Sequence, residues 1–245
     1  MWTRTARTAL IAVAALVALS LPAAAQDISI DLGGGSVTAT SVQLILLITL
    51  LSLAPGIAIM VTCFPFMVTV LAILRQAVGL QQSPPNMLIV SLALFLTYFV
   101  MEPVFTEAWD TGVQPLIEEQ IEVEEAAIRT LAPFRDFMAG RTDPDTYRAM
   151  ADLRPDARET VLAPEAPLSV LVPSFMLSEV ARAFQVGFLI FLPFLIIDLV
   201  VAAVLMSMGM MMVPPAIVSL PFKLAFFVVA DGWSLLAGSL VRGYF

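Results

Sequence analysis

The chain has 245 residues, 60% of them hydrophobic and only 13% charged, with a mean hydropathy of +0.94. A soluble domain carries about 25% charged residues, so this composition excludes a water-covered globule and requires lipid or partner subunits over much of the surface. The net charge of −8 is concentrated, because sixteen of the twenty acids and six of the twelve basic residues lie between Glu102 and Glu179, and no basic stripe is left for nucleic acid.

Residues 1–25 have the pattern of a cleavable signal peptide. Arg4 and Arg7 precede an apolar stretch from Ala9 to Leu21, and Ala23-Ala24-Ala25 forms an A-x-A site. The apolar stretch is too short to span a bilayer comfortably, although an uncleaved first span would show the same run. Cleavage before Gln26 puts the mature N-terminus outside the cytoplasm and leaves 26–41 as a flexible leader, with three glycines before Ser36.

Two hydrophobic hairpins follow, 42–105 and 183–245, with a polar, acidic segment over 106–182. The charge-free run 32–74 is too long for one span and contains Pro55-Gly56 and Pro65, so a broken or strongly kinked helix is expected. Pro84-Pro85 and Pro214-Pro215 each stand just before the second helix of a hairpin, where a missing N–H costs nothing. A weak internal repeat and two coincidental turns explain that equally well. The prolines at 155, 164, 167 and 173 are expected to chop the approach to the third apolar helix.

Arg75 is the only charge between the first two apolar helices, which places that loop in the cytoplasm. An out-in-out-in-out path then puts 106–182 on the periplasmic side, the inverted topology being the alternative. Within that segment, 115–132 reads as a helix with Ile117, Ile121, Ile128 and Leu131 near one face. Thr142-Asp143-Pro144-Asp145 is a helix start, continued by an apolar stripe of Tyr147, Met150 and Leu153. No strand-like alternation appears. The fold class is all-α: two long helical hairpins with four hydrophobic helices, and a helical polar domain between them.

Little here suits catalysis. Histidine is absent, which removes the commonest general base and zinc ligand. Cys63 lies in an apolar run and reads as a buried small hydrophobe. The glutamates at 118–125 could offer oxygen ligands to a divalent cation, but a solvated helix face accounts for them better. Asp198 and Asp231 lack the motif of an intramembrane aspartyl protease. Neither a cofactor nor an enzymatic activity is expected.

Asp198 and Lys223 sit inside apolar segments, where charges are costly and face protein or water. Their opposite signs on adjacent helices suggest a buried ion pair, favoured over a proton relay. Met206, Met208, Met210, Met211 and Met212 precede Val213-Pro214-Pro215. Gly209 and the prolines indicate that Met210 to Met212 leave regular helix at a turn. Such residues could form a deformable apolar seal, though spacing alone favours ordinary packing.

Ile73-Leu74-Arg75-Gln76-Ala77-Val78-Gly79, Pro84-Pro85-Asn86, Leu92 to Thr97 and Met101-Glu102-Pro103-Val104 resemble the first hairpin of the FliP family. Ala183 to Phe188, Pro193 to Leu199, Gly209 to Pro215, Leu220 to Leu224 and Asp231-Gly232-Trp233 resemble its second. The likeness runs from about 42 to 240 and is weaker between the hairpins, where Phe134 to Met138 is its clearest part. One departure is Pro65-Phe66, where the family usually has Thr-Arg.

This resemblance implies a core subunit of the flagellar type III export gate, in the inner membrane at the flagellar basal body. It implies a pentamer assembled with FliR and FliQ, served by FlhA and FlhB, through which unfolded flagellar proteins pass. It also implies that Met210, Met211 and Met212 seal the closed pore. The injectisome homologue is the near alternative. An ion-coupled transporter subunit using Asp198 and Lys223, or a periplasmic scaffold, is a reading from another class.

Overall fold

The computed structural model describes residues 37–80, 84–210 and 212–244. The signal peptide over 1–25, the leader over 26–36 and the expected role of Met211 concern residues outside that description. The chain divides into two compact units at Leu50/Leu51.

The described part of the first unit is helical and belongs to α1 (Val37–Met60), so helix already occupies 37–41. Val42, Ile45, Leu46, Leu47, Ile48 and Leu50 are all more than half exposed. An apolar helix left this bare needs lipid or another protein around it.

In the second unit α1 continues through Pro55 and Gly56 to Met60. The expected break comes six residues after Pro55, at Val61–Cys63, ahead of α2 (Phe64–Val78). Proline is tolerated within apolar spans, whereas Pro65 stands in the first turn of α2, where its lack of an N–H favours a new helix start. Thr62 assists the break by accepting from the Phe64 N–H at 3.4 Å while its hydroxyl donates to the Ile59 carbonyl at 3.1 Å.

Helix α2 is the centre of the apolar core. Met67, Val70 and Ala77 are fully buried, and α3 (Asn86–Ala108) and α7 (Leu168–Ser207) both pack against it. The approach of α7 is close: a Cβ on Gly187 would lie 2.4 Å from the Ile73 Cδ1. A second, smaller core joins Met138, Tyr147, Ala151, Val170, Leu171 and Phe175 within the polar segment.

That segment is helical but more broken than its periodicity suggests. A π-helical turn, Trp109–Val113, follows α3 and leads into the short α4 (Gln114–Ile117). The chain then breaks at 118–122, with Glu119 in the left-handed region at φ 55°, before α5 (Val123–Arg141) begins. The single helix expected over 115–132 is therefore two. The acids explain the placing of the second start, since Glu124 and Glu125 sit in the first turn of α5, where the helix dipole favours negative charge. Ile128 and Leu131 face outward rather than into this chain's core.

Helix α6 (Pro144–Asp152) starts as expected, with the Asp143 carboxylate accepting from the Thr146 N–H at 2.9 Å. Tyr147 and Ala151 are its buried residues, and Leu153 points away.

The largest difference from the sequence reading is α7. It runs unbroken for 40 residues through Pro173 and Pro193, so the division drawn at 182/183 falls inside a helix. At 1.5 Å per residue it is about 60 Å long, roughly twice a bilayer core. Its first part packs in the polar segment, with Leu171 and Phe175 buried there. Its later part packs on the apolar hairpins through Ala183 and Phe194.

The chain closes with α8 (Pro215–Val229) and α9 (Gly232–Arg242), bent by 62° at a short break. Ser41–Met60, Asn86–Ile117 and Leu168–Ser207 are each long and apolar enough to cross a membrane, and the bent pair adds a fourth if it is one broken span. The described residues are all-α, with no strand among them.

Candidate functional site

The turn between α7 and α8 is built by backbone hydrogen bonding that requires its glycine. Gly209 has φ +76° and donates to the Met206 carbonyl at 3.0 Å, while the Met210 N–H donates to the Leu205 carbonyl at 3.0 Å. These two bonds make a Schellman stop, in which a left-handed residue just past the helix satisfies carbonyls that would otherwise be orphaned. Pro214 and Pro215 then cap and open α8, so neither helix extends into the turn.

The chain between these stops carries the methionines out of the helix. Met208 is 66% exposed and Met212 is 97% exposed. Met210 is less exposed and lines an apolar groove between α7 and α8 with Val201, Leu205, Val218 and Phe222. In a Schellman stop the residue two past the cap commonly touches the third from last of the helix, and Met210 and Leu205 hold those places.

Asp198 and Lys223 come together. Lys223 on α8 places its Nζ 2.6 Å from the Asp198 Oδ2 on α7. It also donates to the Ala77 carbonyl at 3.1 Å, in the last turn of α2, and Ser219, one turn before it, donates to the other Asp198 oxygen at 2.6 Å. The Lys223 side chain is 7% exposed and that of Asp198 is 33% exposed. A single ammonium thus joins both hairpins and sits where the α2 dipole is negative. The helix stops in the first hairpin are equally plain: Gly79 ends α2 at φ +87°, and Pro85 caps α3 just after Pro84.

A third cluster escaped the sequence reading. Glu179 on α7 is fully buried and accepts from Arg141 Nε at 3.3 Å, from Arg182 Nη1 at 3.4 Å and from the Tyr244 hydroxyl. Arg141 also donates to the Gly243 carbonyl at 2.9 Å, and its guanidinium lies 4.0 Å from the Tyr244 ring centroid. Burial and the neighbouring carboxylate push the Tyr244 phenol well above its usual range, so it stays protonated and donates. A signal was present in the sequence. Leu171, Phe175, Glu179 and Ala183 recur every four residues, all four fully buried, so an acid stands in the apolar stripe.

The remaining chemistry-bearing residues have structural surroundings. Burial pushes the Cys63 thiol up to about 12, leaving no thiolate at neutral pH. Asp231, at φ 49°, accepts from the Ser234 hydroxyl at 3.1 Å. Glu118 accepts from Gln114 and Gln120, and Glu125 pairs with Arg129. Among the described residues no group of His, Cys, Asp or Glu is arranged to hold a metal ion.

Comparison with known proteins matches residues 47–240 to the FliP family. The sequence is 51% identical over 243 residues to the flagellar biosynthetic protein FliP of Caulobacter vibrioides, covering 97% of this chain and 91% of that protein. It is 48% identical over 240 residues to the protein of the same name from Agrobacterium fabrum, covering 96% and 98%. Against that of Bacillus subtilis the figure is 45% over 206 residues, covering 84% and 92%.

Proposed function

The chain belongs to the FliP family, and on that footing we propose that it is a core subunit of the flagellar type III export gate, with Met210, Met211 and Met212 forming the apolar seal of the closed pore. Every relative named above is a flagellar biosynthetic protein, so the flagellar reading replaces the injectisome one. The chain serves as a structural part of an export apparatus rather than as an enzyme. Its long apolar helices place it in the membrane.

The observation that carries the seal is the turn itself. Gly209 and Pro214 keep Met210, Met212 and Val213 out of helix, and Met212 is turned almost wholly outward. A protein gate must exclude ions and small solutes yet widen for an unfolded chain. Apolar side chains hold water out of a constriction without any bond that opening must break. Methionine adds three rotatable bonds and a polarisable sulfur, so it fills an irregular gap and then yields.

The partners of this reading are further copies of the chain, five in the ring, with FliR and FliQ completing the pore wall and FlhA and FlhB serving it. Unfolded flagellar proteins are the cargo. The bare apolar surface of α1, and Ile128 and Leu131 on α5, support a chain made to be covered by other subunits. The polar segment lies on the periplasmic side and the methionine turn on the cytoplasmic side, and the mature chain begins near Gln26. N-terminal sequencing of the membrane-bound protein should return Gln26, and recovery of intact Met1 would overturn the processing and the sidedness built on it.

Asp198 and Lys223 act in this reading as a joint between hairpins. Lys223 is engaged by Asp198 and the Ala77 carbonyl together, which suits a fixed tie better than a site of ion coupling. The seal is tested by replacing Met210, Met211 and Met212 together with alanine. With its partner subunits present, the variant should assemble normally, leak small ions across the membrane and keep most of its export. An assembled gate that stays fully tight would make these methionines packing residues.

A further inference from the structure

The chain beyond α9 is held by an unusual number of partners for two residues. Tyr244 lies between two aromatic rings, edge-on to Phe66 at 5.6 Å and stacked on Phe137 at 6.2 Å. Its hydroxyl donates to Glu179, its ring lies beneath the Arg141 guanidinium, and the Gly243 carbonyl accepts from Arg141. Three elements meet there: α2 through Phe66, α5 through Phe137 and Arg141, and α7 through Glu179.

Chemistry makes these contacts mutually dependent. A buried carboxylate persists only if its charge is answered and its lone pairs are filled. Arg182 is 38% exposed and well placed for water, so Arg141 and Tyr244 supply the enclosed part of that compensation. Arg141 in turn divides its donors between Glu179 and Gly243, which holds its plane over the Tyr244 ring. Removing the tail therefore uncovers Glu179, and altering Glu179 frees the tail.

We propose that the Glu179–Arg141–Tyr244 cluster is a clasp that fastens the end of α9 to the polar segment, so that the two move as one body. Within the second hairpin the bend between α8 and α9 and the turn at 208–214 lie outside the clasp, with α8 between them tied separately by Lys223. At that bend the backbone of Asp231 is left-handed, and Gly232 leaves no room for a Cβ against the Phe227 ring. The turn at 208–214 has no comparable anchor among its described residues, with Met208 and Met212 exposed. The clasp stands apart from the reading of the methionines as a seal, since it concerns the opposite end of the hairpin.

Hydrogen-exchange mass spectrometry on the full chain in membranes tests this directly. Tyr244→Phe removes one hydroxyl and keeps the ring, so it is expected to fold. Amides of 240–244 should exchange about tenfold faster or more, the change that follows from losing one hydrogen bond to a charged partner. Glu179→Gln should produce the same effect and extend it to peptides around 141–143. In both variants the peptide covering 208–214 should exchange as in the unaltered protein. Unchanged protection of 240–244 in both variants would overturn the clasp. So would an equal rise at 208–214, which would mean general loosening rather than release of one end.

Discussion

The two buried ionic clusters of this protein have similar ingredients and different enclosure. Glu179 is wholly buried and surrounded by Arg141, Arg182 and Tyr244. The pair near the turns has a buried Lys223, but its Asp198 keeps a third of its side chain open. The first holds the polar segment to the chain end, and the second ties one apolar hairpin to the end of α2. What they teach together is that the cost of breaking an ion pair is set by the partner left behind. A stranded charge that water can reach relaxes, and one that water cannot reach does not.

The largest effects are expected from removing either acid, and the first of these is Glu179. Its replacement by alanine strands Arg141, whose side chain is only 17% exposed, and leaves the Tyr244 hydroxyl without its acceptor. A loss of about 3–5 kcal/mol is expected, visible as a large fall in the unfolding midpoint of the membrane-extracted protein. If the midpoint scarcely moves, the cluster is wetter than its geometry indicates.

The second cluster should respond asymmetrically. Asp198→Ala strands the buried Lys223 and should cost about 3–5 kcal/mol. Lys223→Met keeps the volume and strands an aspartate that can hydrate, so about 1–2 kcal/mol is expected. Comparing the two midpoints tests the argument from enclosure, and equal losses or the reverse order would break it.

Gly79 probes the same end through the backbone. Its φ of +87° disfavours any side chain, and an added Cβ would still meet only ordinary contacts, 3.7 Å from Leu220 and 3.9 Å from the Lys223 Nζ. Gly79→Ala should therefore cost about 1–2 kcal/mol from the left-handed conformation alone. A larger loss, cancelled when Lys223 is already methionine, would show coupling to the ion pair.

The smallest effect belongs to the Glu179 side. The Asp143 N–H donates to the Ser178 hydroxyl at 2.9 Å, and the Asp143 carboxylate caps α6. The hydrogen bond from the Thr146 N–H holds the Asp143 carboxyl below its ordinary 3.8. A lowered value means that the cap is complete above pH 3.8 and is lost as the pH falls through the folded value. Asp143→Ala should speed exchange of the first amides of α6 at neutral pH and remove the acid-dependent part of their protection. An unchanged acid profile would show that the cap carries none of it.

Sequence alone determined the features that arise from local chemistry. A run of apolar residues must be covered, so the presence of several long apolar helices was legible without any partner. Gly209, Pro214 and Pro215 dictate a turn because the left-handed residue and the missing N–H act within a few positions. Asp143 and Pro144 start α6 for the same reason. Asp198 and Lys223 stood out because charge in an apolar segment demands an answer nearby.

Only the tertiary structure decided which distant residues supply the answers. Arg141 and Tyr244 stand 38 and 65 positions from Glu179, inside a region or at an end where charge and aromatic rings attract no notice. The continuity of α7 through Pro173 was likewise a tertiary decision. Leu171 and Phe175 pack in the polar core and Ala183 on the hairpins, and burial along both stretches outweighs the local penalty of proline. The break at 118–122 came from the opposite balance, where exposed Ile128 and Leu131 offered no packing within the chain to carry helix across the glutamates.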